Sequence, residues 1–311
     1  MAASFSCARS LRQSKWFRLV WLMPSAIALL IAAVLVAKWM REQGSVQQFL
    51  LEFPGTSARP ENAPIGFPAW LSWQHFLNSF FLLLIVRTGW QIRTNTRPGA
   101  FWTRKNKGLV STNGAPMRIS LTLWFHLSLD ALWVLNGLVF YVLLFVTNQW
   151  MRIVPTSWDV FPNAVSVGIQ YLSLDWPYEN GWVNYNSLQL LMYFLTVFIA
   201  APLAVLTGLR MSPAWPTKNA ALSNAYPLGL ARMLHFPIML YFALFIAVHV
   251  TLVFATGALS NLNHMYAGRH DESWWGLAIF AVSLVVMIAA WVATRPVLLR
   301  SLASLSGNVS R

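Results

Sequence analysis

Six apolar stretches, each close to the 20 residues that a helix needs to cross roughly 30 Å of hydrocarbon, dominate this sequence. They lie at about residues 17–38, 69–92, 119–147, 187–209, 233–257 and 274–294. Only 10% of the side chains are charged, against about 25% in a soluble globular chain. An ordinary cytosolic enzyme and a disordered chain are thereby excluded. The pattern predicts an all-α integral membrane protein, a six-transmembrane-helix bundle forming one domain over residues 1–311. The first run follows Arg9, Arg12, Lys15 and Arg18, as a signal peptide would. It is long, however, and ends in Lys38-Trp39-Met40-Arg41 with no small-residue cleavage site, so it reads as an uncleaved helix. The third run is unusually long, which suggests tilt or an extension beyond the bilayer.

Charge then orients the spans. With the N-terminus inside, the inner segments are 1–16, 93–118, 210–232 and the tail after 294. Together with Arg18 they hold Arg9, Arg12, Lys15, Arg93, Arg97, Arg104, Lys105, Lys107, Arg118, Arg210, Lys218, Arg232, Arg295, Arg300 and Arg311, and no acid. The outer segments hold Lys38, Arg41, Arg59, Arg152 and Arg269 against the acids Glu42, Glu52, Glu61, Asp159, Asp175, Glu179, Asp271 and Glu272. Cytoplasmic loops of membrane proteins carry the Lys/Arg excess, so both termini are expected in the cytoplasm. The net charge of +13 then reflects topology and attraction to anionic membrane lipids. No nucleic-acid module accompanies it, and no nucleic-acid partner is expected.

Four of the six histidines fall within spans: His75, His126, His235 and His249. Intramembrane ionisable residues are costly and are candidates for function. Cys7 is the only cysteine, which excludes an internal disulfide, a four-thiolate cluster and a C-x-x-C-H attachment. His235 and His249 are 14 residues apart, so at about 100° and 1.5 Å per residue they share a helix face at heights about 21 Å apart. Depth assigns the partners. His75, near the start of an inward-running span, is outer and pairs with His249; His126, near the start of an outward-running span, is inner and pairs with His235. Two imidazoles per iron make a six-coordinate electron-transfer haem, so the spacing suits two haems stacked across the bilayer. The alternatives are four structural histidines hydrogen-bonded between helices and a non-haem transporter or scaffold. A transition-metal transporter would want its ligands clustered at one depth.

Ligands on spans 2 and 3 plus a His-x(13)-His pair on a later span resemble the di-haem cytochrome b family. This is the cytochrome b561-type membrane subunit of Ni/Fe-hydrogenases and respiratory formate dehydrogenases. The matching stretches are Trp73-Gln74-His75 leading to Arg87-Thr88-Gly89, and Arg232-Met233-Leu234-His235 through to His249. The resemblance covers a four-helix haem-binding core over about residues 66–260, with an extra helix at 17–38 before it and a final helix at 274–294 after it. The extra helix and a long, Trp-rich outer segment at 148–186 depart from the family. That segment also resembles the membrane cytochromes that accompany molybdopterin oxidoreductases of the sulfite-oxidase type in bacteria. The resemblance implies a multi-pass protein of the bacterial cytoplasmic membrane carrying two non-covalent b-type haems. Its partners would be quinone and an extracytoplasmic redox subunit, a molybdopterin enzyme first and a hydrogenase or formate dehydrogenase as the alternative. Such a chain is an electron-transfer subunit with no substrate chemistry beyond quinone redox.

Further candidates follow from haem chemistry. Propionates need cations or donors near the membrane faces; Arg118 and Arg232 suit the inner haem, with Arg152 and Trp73 weaker candidates at the outer one. Arg87 would face a propionate or a quinone, or else snorkel to the headgroups. Asp130 is the only carboxylate within a span and lies one turn beyond His126; it would relay protons to a quinone at the inner side or be a hydrogen-bonded structural acid. Gly89 and Gly137 would allow close approach of a macrocycle or of a neighbouring helix. Trp158, Asp159, Asp175, Trp176, Glu179 and Trp182 would dock a partner or form an interfacial belt.

Overall fold

The computed structural model describes residues 17–95, 97–105, 116–176, 180–216 and 219–311. Cys7, Arg9, Arg12, Lys15, Lys107, Glu179 and Lys218 lie outside the described residues. Among the described residues, six helices are long and apolar enough to cross a membrane. The first lies within the helix Phe17–Glu42, and the others are Ala69–Thr94, Leu121–Val146, Ser187–Met211, Leu228–Ala255 and Trp275–Ala293. They are called spans 1 to 6 below. Span 3 has no special length: spans 2 and 3 both have 26 residues and span 5 has 28. Ser120 sets the start of span 3, because its hydroxyl caps the helix by accepting from Leu123 N at 3.1 Å.

The described residues fall into two compact units. The smaller contains span 1, the helix Gly44–Glu52 and the helix Val160–Leu172. Within it Arg41 forms an ion pair with Asp175 and donates to Ser173 Oγ at 3.1 Å. Gly55 N donates to Asn163 Oδ1 at 2.8 Å.

The larger unit contains spans 2, 3, 5 and 6 and span 4 from Leu190 onward. Polar side chains join its apolar helices, since a hydroxyl or amide in hydrocarbon needs a partner. Trp133 of span 3 donates to Asn78 Oδ1 of span 2 at 2.9 Å. Thr196 of span 4 and Tyr241 of span 5 share a hydrogen bond of 2.7 Å. Span 4 contains a π-helical turn at Leu195–Ala200, and the Tyr141 hydroxyl donates to Val197 O within it at 2.5 Å.

A three-stranded antiparallel sheet departs from the all-α expectation. Strands β1 (Phe101–Arg104), β2 (Arg118–Ser120) and β3 (Gly307–Ser310) lie in the order β2-β1-β3, with Phe101 opposite both Ser120 and Ser310. These strands are too short to leave a period-two signal, and β3 is recruited from the far end of the chain. Trp102 donates to Ala303 O at 3.1 Å. A Cβ on Gly307 would lie 2.1 Å from Trp102 Nε1, so only glycine fits beside that indole.

After span 5 the chain folds back through the helix Ala258–Leu262 and a π-helical turn, Asn263–Ala267. Asn263 is fully buried and organises this return. Its amide donates to Ser273 O at 2.6 Å and Asp271 Oδ1 at 2.9 Å, and its carbonyl accepts from Gly276 N at 2.6 Å. A Cβ on Gly276 would stand 2.3 Å from Asn263 N. This clasp places His264 and Tyr266 beside span 2.

Candidate functional site

The four span histidines come together as two pairs at opposite ends of span 5. The rings of His75 and His249 face each other with centroids 6.3 Å apart and planes at 56°. Two imidazoles presented to each other in this way would hold a haem iron between them. Apolar rings enclose the pair. Phe245, one turn before His249, stacks on it at 5.6 Å and 4°, while Tyr193 of span 4 presents an edge at 6.1 Å. Tyr266 meets His75 edge-on at 5.7 Å, and burial pushes the Tyr266 phenol up to about 12. His75 Nδ1 is buried with no hydrogen-bond partner among the described residues.

His126 and His235 make the second pair, within electrostatic range of each other. Each is held by a threonine of a neighbouring helix. Thr88 Oγ1 of span 2 lies 2.8 Å from His126 Nδ1, and Thr207 Oγ1 of span 4 lies 2.8 Å from His235 Nδ1. A glycine follows each threonine: a Cβ on Gly89 would lie 3.5 Å from His126 Cε1, and one on Gly208 3.6 Å from His235 Cε1. The ring of each histidine therefore rests on a Thr-Gly step of the preceding span. Gly137 has nothing near its Cβ position.

These four side chains supply a donor set suited to porphyrin iron. Among the described residues no three His, Cys, Asp or Glu gather as they would around a bare metal ion, and porphyrin iron asks only two axial ligands of the protein. One contact opposes direct insertion. Asp130 Oδ2 lies 3.6 Å from His126 Nε2, the nitrogen that would bind iron, so the carboxylate must turn away when a metal is held there. With 30% of its side chain exposed, it has room to do so.

The expected arginines are engaged elsewhere. Arg87 donates to Trp291 O at 2.6 Å and to the Thr294 hydroxyl, with its guanidinium 4.3 Å from the Trp291 ring centre. It ties span 2 to the C-terminal end of span 6, where the helix dipole favours a cation. Arg118 donates to Arg311 O at 2.9 Å and covers Phe101. Arg232 and Trp73 are exposed.

Arg152 is buried, donating to Gly66 O, Gly181 O and Trp182 O beneath the rings of Phe67 and Tyr185. Trp182 is half-buried among aromatic rings. It stacks on His270 at 5.6 Å and lies 5.3 Å from His264. His264 and His270 share a 2.9 Å hydrogen bond, and Phe67 stacks on His264 at 5.9 Å. Burial holds the His264 imidazole down to about 4, with His270 and Arg152 adding to the effect and Asp271 opposing it. Of the remaining cluster, Trp158 is exposed, while Asp175 is the partner of Arg41.

No family model, curated protein or solved structure matches the chain.

Proposed function

We propose that this chain is a di-haem b-type cytochrome of a bacterial cytoplasmic membrane. It carries electrons between an extracytoplasmic oxidoreductase, of the molybdopterin type by resemblance, and the quinone pool. His75 and His249 hold one protohaem toward the outer face, and His126 and His235 hold a second toward the inner face. When bound, each protohaem supplies a one-electron iron couple. The observation that carries this reading is the facing pair of His75 and His249 at one end of span 5 and the neighbouring His126 and His235 at the other, with His235 and His249 about 21 Å apart along one helix. Phe245, Tyr193 and Tyr266 keep water from the outer pair. Asp130, beside His126, would exchange protons with quinone at the inner side.

The test is quantitative haem extraction and an optical spectrum of the purified chain. Two protohaems per chain, both low-spin, are expected. One per chain would overturn the four-ligand assignment, and none would return the chain to the transporter or scaffold class. Metal and cofactor analysis of what co-purifies in mild detergent would separate a molybdopterin partner from a nickel–iron one.

A further inference from the structure

The two histidine pairs are not held alike, and the difference lies in where protons sit. A threonine hydroxyl has one hydrogen to give. Thr88 Oγ1 gives it to its own helix, with Leu84 O at 2.8 Å and Ile85 O at 3.0 Å. Thr207 Oγ1 does the same, with Leu203 O at 2.7 Å and Ala204 O at 3.0 Å. Only lone pairs remain to meet the imidazoles at 2.8 Å. With the hydroxyl hydrogen on the helix backbone, the histidine is the donor, which puts the proton of the neutral ring on Nδ1 and leaves the lone pair on Nε2. That nitrogen is the one free to bind a metal.

We propose that Thr88 and Thr207 are positioning residues that hold His126 and His235 as Nδ1–H tautomers and set the reduction potential of the inner iron below that of the outer. This inference rests on the haem reading above. An Nδ1–H that donates a hydrogen bond makes the imidazole a more basic ligand, and a more basic ligand favours the ferric state. Both inner ligands carry such a bond. At the outer pair His75 Nδ1 has no partner among the described residues. The same arrangement occurs on two separate helices, each time as threonine followed by glycine. The ring packs beside the glycine, and the hydroxyl fixes its rotation. An electron shared between the two irons would rest mainly on the outer one.

The experiment is an optical redox titration of the haem-loaded chain, with low-temperature EPR of the oxidised protein. Thr88→Val and Thr207→Val remove the hydroxyl at nearly constant shape, while Thr88→Ser and Thr207→Ser keep it. Each valine variant should raise the lower midpoint by a tenfold change in the one-electron equilibrium, about 59 mV, and leave the higher midpoint in place. Its low-spin EPR signal should shift, and the serine variants should return both readouts to wild type. If a valine variant loses the inner haem altogether, a serine variant that retains it at the wild-type midpoint supports the assignment, and one that also loses it overturns it. Two haems with unmoved midpoints in both valine variants overturn the threonine role alone. So does a shift in the haem that His75→Ala removes. A wild-type chain without haem would sink the underlying reading and this inference with it.

Discussion

His249 and His75 lie on different spans yet face each other across 6.3 Å, so substitution of either removes one side of the same site. His249→Ala and His75→Ala should therefore lose or convert the same haem spectrally and leave the other nearly intact. His126→Ala and His235→Ala should define the second class. All four should insert, because histidine to alanine makes a span more apolar. Grouping of His75 with His235 in the optical spectra would refute the pairing by depth. His264 makes a prediction of another kind. Its folded-state value near 4 lies below the ordinary 6.5, so the unfolded chain takes up a proton first as the pH falls. The contribution to stability is full above about 6.5 and is lost as the pH drops toward 4. Besides His270, Arg152 and Asp271, the groups against the ring are Ser260, Phe67 and Trp182. Thermal unfolding in detergent should show a melting temperature that falls through this window, and His264→Gln should flatten that dependence. An unchanged slope in the variant would assign the acid sensitivity to other groups.

At the scale of elements, the return after span 5 depends on one missing side chain. A methyl group on Gly276 would meet Asn263 backbone at 2.3 Å, and backbone cannot give way as the end of a side chain can. Gly276→Ala should cost about 2–3 kcal/mol, measured by thermal unfolding. It should also disturb the haem held by His75 more than the other, because Tyr266 rides on the displaced turn. Equal spectra for both haems would separate the clasp from the site. This element was not legible in the sequence, where 258–273 reads only as an outer loop between two spans. The spans themselves were legible, because hydropathy acts over 20 residues and their ends moved by only a few. The sheet was not, since β3 pairs with residues more than two hundred positions away and carries no pattern of its own. Of the site, His75, His126, His235 and His249 stood out by being ionisable within apolar runs, and the 14-residue spacing placed two of them on one face. Thr88 entered only within the Arg87-Thr88-Gly89 stretch and Thr207 not at all, because a threonine in a span usually bonds its own helix. Their signal was the Thr-Gly step repeated near the ends of spans 2 and 4. Arg87 was visible as a cation within an apolar run, but its partner lay on span 6, beyond anything spacing could indicate.

For the whole molecule, the sidedness of the six spans decides which histidine pair meets which partner. The bias of sixteen Lys/Arg without an acid on one side, against five with eight acids on the other, predicts cytoplasmic termini, because short basic loops resist translocation. Six crossings return the chain to the side on which it began. Cys7 is the only native thiol, so an impermeant thiol reagent should fail to label it in intact cells and should label it after lysis. The complement uses a Cys7→Ser background with Glu272→Cys, an exposed position in the turn that carries His264 and His270. That thiol should be labelled in intact cells. If instead Cys7 were labelled and the new thiol protected, the topology would be inverted. The pair of His75 and His249 would then face the cytoplasm, and an extracytoplasmic donor would meet His126 and His235, the pair that Thr88 and Thr207 hold. The order of potentials along the path would reverse with it, so the labelling result fixes whether electrons from an outer donor reach the higher-potential site first.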